Sequence, residues 1–211
     1  MDILYTDKHL SLCVKPVGVL SEEGGMPELL EKETGRKHLC VHRLDRAVGG
    51  LMVYAKTPAA AGKLSAQIAD RSFIKEYLAV ISGRPEADEG TMRDLLFKDS
   101  AKNKSYVVKR MRKGVKEAEL DYKVLDCKEN ASLVRIRLKT GRSHQIRVQF
   151  SSRAMPLLGD VKYGSTEKSC QIALWSNRLC FKHPISSEML DFSAPPPDEY
   201  PWNLFRIKEQ E

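Results

Sequence analysis

Hydrophobic and polar positions alternate in short runs along most of the chain, which is typical of β-strands that bury one face. Two such runs, at 3–6 and 10–14, flank Asp7-Lys8 and predict an opening hairpin. A continuous apolar run at 51–55 and an alternating run at 73–81 predict two further strands. Four more strand signals are found at 118–125, 133–138, 172–181 and 188–192. The strongly charged segment between 86 and 116 predicts either a long hairpin or a flexible loop.

Helix signals are fewer. Thr57 and Pro58 suit the N-cap and first position of a helix reaching residue 69, and a weaker helix is expected at 27–33. After the turn at 140–142, Ser143 is expected to cap a short helix spanning 144–152. Strands outnumber helices, and several neighbouring strands are joined by hairpins. We therefore predict an α+β fold with a mainly antiparallel mixed sheet flanked by helices, and a single domain over residues 1–211.

Composition narrows the choice of partners. The 211 residues include 35 Lys and Arg against 28 Asp and Glu, giving a net charge of +7 that favours a polyanion such as nucleic acid. The five cysteines form no CxxC pair, which argues against a disulfide framework or zinc site and favours reduced thiols in a cytoplasmic protein. We find neither a secretory signal nor a membrane-spanning run, so no membrane association is expected.

The first segment with possible chemistry is the loop at 42–46. Asp45 lies between Arg43 and Arg46, and nearby positive charge favours the ionised carboxylate that a nucleophile or base requires. The Gly49-Gly50 pair that follows should let the chain approach a ligand closely. The alternative interpretation is a solvated salt-bridge cluster on the surface.

Two further segments are candidates. At 140–147 a glycine turn beside Arg142 leads into a helix N-terminus suited to a phosphate, and His144 and Arg147 should share a helix face. At 75–77, Lys75 and Tyr77 should point to the same side of a strand, where Tyr77 could stack on a base. A solvated amphipathic helix and a core tyrosine are the respective alternatives.

Together and in this order, the three segments resemble the RluA-type pseudouridine synthases. The family loop H-R-L-D-x-x-T-S-G-L matches HRLDRAVGGL at 42–51, and its K-x-Y motif matches KEY at 75–77. The third family motif, T-G-R-x-H-Q-I-R followed by G-D-x-x-Y-G, matches TGRSHQIR at 140–147 and GDVKYG at 159–164. The likeness extends from about residue 3 to 196. It implies the pseudouridine synthase catalytic fold and an RNA uridine isomerase that uses no metal or cofactor.

The resemblance also implies roles for individual residues. Asp45 would act as nucleophile or base at C1′, at C6 of the ring, or on the 2′ proton, and the sequence leaves these routes open. Arg147 would pair with Asp45, and Tyr77 would stack on the uracil and help remove its C5 proton. Arg43 would fill the place of the flipped-out uridine, and Ile146 would pack against the base. Arg142, His144 and Lys75 complete the expected substrate contacts.

The expected substrate is a structured stem-loop in tRNA or rRNA. The chain starts almost directly with catalytic-domain sequence, so recognition should come from this domain, which we expect to act as a monomer without a separate N-terminal RNA-binding domain. A basic segment with an interleaved Tyr106 is a candidate second RNA contact, with a merely solvated loop as the alternative. Its cations are Lys98, Lys102, Lys104, Lys109, Arg110, Arg112, Lys113 and Lys116.

The chief departure from the family pattern is Val48-Gly49 in place of Thr-Ser. This loss of two hydroxyls keeps a second hypothesis open, an RNA-binding protein that retains the fold without catalysis. A third hypothesis, a carboxylate glycosidase, requires a paired acid, and no second acid stands near Asp45 in the sequence.

Overall fold

The computed structural model describes residues 1–207 and contains a mixed β-sheet flanked by helices. Chain contacts divide it into two compact units, one of residues 1–76 and 175–196, the other of residues 77–174 and the described residues from 197 onward. The predicted α+β class is confirmed, whereas the single domain over 1–211 stays a prediction.

The strands are β1 Ile3–Thr6, β2 Leu10–Lys15, β3 Leu39–Cys40, β4 Gly49–Ala55, β5 Ile74–Ser82, β6 Glu89–Asp99, β7 Lys104–Val108, β8 Val115–Lys128, β9 Ala131–Leu138, β10 Leu174–Lys182 and β11 Met189–Ser193. The helices are α1 Met26–Thr34, α2 Pro58–Ala69 and α3 Gln145–Ser151, with short 3₁₀ turns at Val161–Tyr163 and Trp202–Leu204.

In the first unit the strands follow the order β1, β2, β4 and β10, with β11 paired to β10 and β3 to β4. The β4–β10 pair is parallel and the other pairs are antiparallel. Helix α2 begins as predicted, because Thr57 Oγ1 accepts the Ala60 N–H at 3.2 Å. It buries Ala60 and Leu64 against residues of β2 and β4. Burial of a leucine such as Leu64 contributes about 1.5–3 kcal/mol.

In the second unit the order is β5, β9, β8, β6 and β7, and β6 is antiparallel to both β7 and β8. The charged segment at 86–116 therefore forms a long hairpin, one of the two predicted possibilities, and not a flexible loop. Alternation decides which face is buried: Leu96 of β6 and Ala118 of β8 pack with Val148 of α3 and with Tyr163. The next residue along β6, Phe97, must therefore point to the opposite face.

The start of α3 differs from the prediction. His144 is the N-cap, with a left-handed backbone (φ 54°) and no side-chain cap, so Ser143 does not begin the helix. The Gln145 N–H, which a cap at Ser143 could have accepted, donates instead to the Arg142 carbonyl at 3.1 Å. The Gln145 side chain accepts the Thr140 hydroxyl and the Arg142 N–H at 2.8 and 3.0 Å. The Arg142 N–H in the turn before the helix is thus already bonded, and phosphate binding at the N-terminus of α3 stays a prediction.

Candidate active site

The loop carrying Asp45 connects β3 to β4 and is anchored on both sides of the carboxylate. Before Asp45, the backbone N–H and C=O of Leu44 both bond to Ser21 Oγ, at 3.0 and 2.8 Å. After it, the Arg46 carbonyl accepts the Gly18 N–H at 2.8 Å, and the Arg46 Nε donates to the Gly18 carbonyl at the same distance. Asp45 itself is half-buried. These bonds hold the chain on either side of the carboxylate and limit the positions it can adopt.

Lys15, at the end of β2, is a second anchor that the sequence analysis missed. Its side chain is buried, and its Nζ donates to the carbonyls of Pro16, Val19 and Arg46 at 2.9, 2.8 and 3.4 Å. Burial lowers the pKa of Lys15 to about 8, against an opposing effect of the Asp45 charge. The negative charge of Asp45 therefore helps keep a buried ammonium protonated, and that ammonium in turn ties down the loop.

His42 and Lys75 lie close enough for their charges to interact. His42 is buried, and its Nε2 accepts the Val53 N–H at 3.2 Å, which requires the neutral ring. Burial, aided by the positive charge of Lys75, lowers the His42 pKa to about 3. Lys75 is also buried, which lowers its own pKa. His42 thus ties the start of the Asp45 loop to β4 at any physiological pH.

The glycine pair after Asp45 has a packing role that was not predicted. A side chain at Gly49 would collide with the Trp175 ring, and one at Gly50, where φ is +113°, would collide with the Ser176 backbone. Both partners belong to β10, which pairs in parallel with β4 at these residues. The glycines are therefore needed for close strand packing within the protein, and the approach of the chain to a ligand here stays a prediction.

Arg43 is the most exposed of the predicted site residues in this loop. Its guanidinium forms a salt bridge with Glu22 at 2.9 Å, and both side chains are more than half exposed. Hydrogen bonding to Glu22 raises the Arg43 pKa. An exposed pair of this kind contributes little stability and breaks readily, so Arg43 can exchange Glu22 for another anionic partner.

Arg147, on α3, is buried and forms a two-point ion pair with Asp160. Its Nε donates to Asp160 Oδ2 at 2.7 Å and one Nη donates to Oδ1 at 2.8 Å. Asp160 is fully buried. This geometry fixes the plane of the guanidinium. Asp160 lies in the GDVKYG segment, so the motif itself contained the signal that could have identified it as a positioning residue.

Tyr163, from the same segment, joins several of these groups. Its hydroxyl accepts the Ser105 N–H at 2.8 Å and hydrogen-bonds to His144 Nδ1 at 2.9 Å. The Arg147 guanidinium lies over its ring at 5.1 Å, and its carbonyl accepts the Ser151 hydroxyl at 2.6 Å. His144 and Arg147 therefore lie close together because both contact Tyr163, and not because they share a regular helix face.

The remaining predicted residues are distributed as follows. Tyr77 on β5 and Ile146 on α3 are both buried. Arg142 lies on the surface and its Nε donates to the Glu117 carbonyl at 2.8 Å. The structure therefore groups Asp45 with Lys15 in the first unit, and Arg147 with His144 in the second. Pairing of Asp45 with Arg147 stays a prediction.

Comparison with known proteins yields consistent matches. Residues 9–152 match the family model described as RNA pseudouridylate synthase. The chain is 33% identical to the dual-specificity RNA pseudouridine synthase RluA of Pasteurella multocida, covering 93% of each protein. It is 32% identical to the ribosomal large subunit pseudouridine synthase D of Zymomonas mobilis, covering 94% of this chain and 70% of the relative. The solved structure of human RNA pseudouridylate synthase domain containing 4 shares the fold with a TM-score of 0.78 at 23% identity, covering 93% of this chain and 88% of that one. No helix within residues 1–207 has the length and apolar character needed to cross a bilayer.

Proposed function

The chain belongs to the RNA pseudouridylate synthase family, which isomerises uridine to pseudouridine in RNA, and we propose that Asp45 is the carboxylate on which this reaction depends. The isomerisation breaks the N1–C1′ bond, turns the uracil and rejoins it through C5, so no atom is gained or lost. An ionised carboxylate can act at C1′, at C6 or on the 2′ proton. The anchoring of the chain before and after Asp45 is the observation that carries the assignment, because a catalytic group must be held in place before the substrate arrives.

Arg147 and Tyr77 complete the proposed catalytic set. A guanidinium has five N–H donors, enough to bind two carboxylates, so its two-point bond to Asp160 is compatible with pairing to Asp45. In that role Arg147 keeps Asp45 ionised and aimed. Tyr77 stacks on the uracil and assists removal of the C5 proton, and Ile146 packs against the base and excludes water.

Arg43 is proposed to enter the RNA stack in place of the flipped-out uridine. Its exposed bond to Glu22 supports this role, because little energy is needed to release the guanidinium. Arg43→Ala should therefore reduce activity on a folded stem-loop more than on a short flexible strand. Equal losses on the two substrates would contradict this role. Arg142, His144 and Lys75 are retained as proposed substrate contacts.

The proposed substrate is a structured stem-loop of tRNA or rRNA, bound by a monomeric enzyme in the cytoplasm. The basic segment, which forms the β6–β7 hairpin and its continuation, is the second proposed RNA contact. Reversing the charges of Lys109 and Arg110 should lower RNA affinity and flatten its dependence on salt. An unchanged salt dependence would favour a merely solvated hairpin. Mapping pseudouridine in RNA from cells with and without the enzyme would identify the target, and sedimentation would test the monomer.

The decisive experiment measures tritium released from RNA that carries tritium at C5 of uridine. Wild type should release tritium, and Asp45→Asn should not. Asp70→Asn is a matched control, because Asp70 is an exposed aspartate of the same unit at the end of α2. Release by Asp45→Asn at the wild-type rate would refute the assignment.

The rival hypothesis of an RNA-binding protein without catalysis predicts no release even from the wild type. Its main support was Val48-Gly49 in place of the family Thr-Ser. The Trp175 ring occupies the space that a side chain at 49 would need, so packing against β10 accounts for the glycine of this pair. That explanation removes part of the support for the rival hypothesis.

A further inference from the structure

One face of the sheet in the second unit carries two aromatic side chains with no partner helix. We call it the outer face, meaning the side turned away from Val148 and the rest of the buried cluster around Leu96. Phe97 follows Leu96 in β6 and so points outward. It stands directly opposite Tyr106 of β7, and cross-strand partners lie side by side on one face. Phe97 and Tyr106 are therefore neighbours on the outer face.

Several charges at the other end of this face are paired within the protein. A groove of about 470 Å³ there is lined by residues of β6, β8 and β9. Across the same strands Lys123 pairs with Glu89 at 3.8 Å, and Arg93 pairs with Glu119 at 3.2 Å. Polar side chains in this half mainly bond to one another, as expected for a solvated sheet face.

The half around Phe97 and Tyr106 is different, because its cations are exposed and not paired. Within residues 1–207, no carboxylate forms a salt bridge with any of five cations in the turns that flank β7. They are Lys102, Lys109, Arg110, Arg112 and Lys113. Two acids border this segment, Asp99 and Glu117, and the Asp99 carboxylate accepts the Lys102 backbone N–H. This half of the face thus complements a polyanion.

Cations and rings are also interleaved here. The Arg112 guanidinium lies 5.1 Å from the Phe97 ring centre, and the Lys104 ammonium lies 5.8 Å from that of Tyr106. Tyr106 remains 36% exposed. Flat groups beside mobile cations are the means by which proteins hold unpaired nucleotides, with bases stacked on rings and guanidinium planes and phosphates on the cations.

We propose that Tyr106, Phe97 and Arg112 form a stacking platform for unpaired bases of an RNA strand, whose phosphates contact the surrounding lysines and arginines. The proposal rests on the proposed function, since it specifies how the second RNA contact works. A duplex would not use the platform, because its bases are already stacked and only its phosphates are accessible.

The test compares two probes of equal charge with the full chain carrying Asp45→Asn, so that neither is converted. One probe is a fluorescein-labelled oligouridylate of about 12 nucleotides, and the other is an abasic ribose-phosphate oligomer of the same length. Tyr106→Ala should weaken oligouridylate binding about 5- to 100-fold and leave the abasic oligomer unaffected. Tyr106→Phe should bind normally. Tyr200→Ala is the matched control, because Tyr200 is 39% exposed and lies outside the hairpin.

Three results would overturn the platform. Unchanged oligouridylate binding by Tyr106→Ala would show that no base stacks there, and equal loss on both probes would show a contact made through charge alone. Self-association of the protein that Tyr106→Ala abolishes would assign the face to a second copy instead. Tritium release by wild type is measured separately. If wild type releases no tritium but Tyr106→Ala still weakens oligouridylate binding alone, the proposed function is refuted and the platform is supported. If wild type releases tritium but Tyr106→Ala has no such effect, only the platform is refuted.

Discussion

The ion pair between Arg147 and Asp160 offers the sharpest test of how the site is held together. Asp160 is fully buried and the Arg147 side chain is only 6% exposed. Removing one partner of such a pair leaves a buried charge without compensation and costs about 3–5 kcal/mol. Asp160→Asn should cost about 3 kcal/mol, the lower end, because the amide keeps one acceptor oxygen for the guanidinium.

In a thermal unfolding experiment on a chain of this size, that loss corresponds to a drop in Tm of about 6–12 °C. Asp88→Asn is the matched control, because Asp88 pairs with Arg84 on the surface, and it should leave Tm unchanged. At a temperature where the variant is folded, the guanidinium should be misoriented. We then expect tritium release to fall about 100-fold, the effect of a small displacement in an active site.

The double variant Arg147→Met/Asp160→Asn separates the charge effect from general damage. Because methionine removes the uncompensated charge, the double variant should recover part of the stability lost by Asp160→Asn. The reasoning is refuted if the stability losses of the single variants Arg147→Met and Asp160→Asn simply add in the double variant. It is also refuted if Asp160→Asn unfolds with the wild-type Tm.

Three further predictions concern stability. The pKa of Lys15 in the folded protein is about 8, below the ordinary value of 10.5, so between these pH values the unfolded chain binds more protons. The unfolding free energy of wild type relative to Lys15→Met should therefore rise by about 3 kcal/mol from pH 8 to pH 10.5, and parallel pH curves for the two proteins would contradict this. Ala154 has a left-handed backbone (φ 59°), so Ala154→Gly should stabilise by about 1 kcal/mol in urea unfolding, whereas Ala66→Gly, in the middle of α2, should destabilise by a similar amount. Gly49→Ser should cost about 1–3 kcal/mol by crowding Trp175, and an unchanged urea midpoint would contradict the packing argument.

Much of the fold could be predicted because its strands bury one face, which produces alternation along the sequence. The opening hairpin, α2 and the β8–β9 hairpin were predicted in type and order. The start of α3 was not, because the cap depends on competition between side chains. Ser143 has the right chemistry, but the Gln145 N–H donates to the Arg142 carbonyl and His144 adopts the left-handed conformation.

The candidate site was predicted where its residues are contiguous, as in the loop carrying Asp45. Lys15 was missed because nothing local marks it, and its buried ammonium is stabilised partly by the Arg46 carbonyl, 31 positions away. The packing role of Gly49 and Gly50 was missed for the same reason, since the residues that approach them, Trp175 and Ser176, lie more than 120 positions later in the chain. Contacts between distant positions leave no periodic signal in a single sequence.

The least expected feature of the second unit is the position of Tyr163. Its hydroxyl accepts the Ser105 N–H of the basic hairpin, the Lys104 ammonium lies 5.2 Å from its ring, and the Arg147 guanidinium lies over the same ring. One buried side chain thus supports both the strand proposed to bind RNA and the arginine proposed to act in catalysis. Because a buried, hydrogen-bonded ring cannot move without disturbing every group that contacts it, we expect any displacement of the hairpin to shift Tyr163 and with it the Arg147 guanidinium.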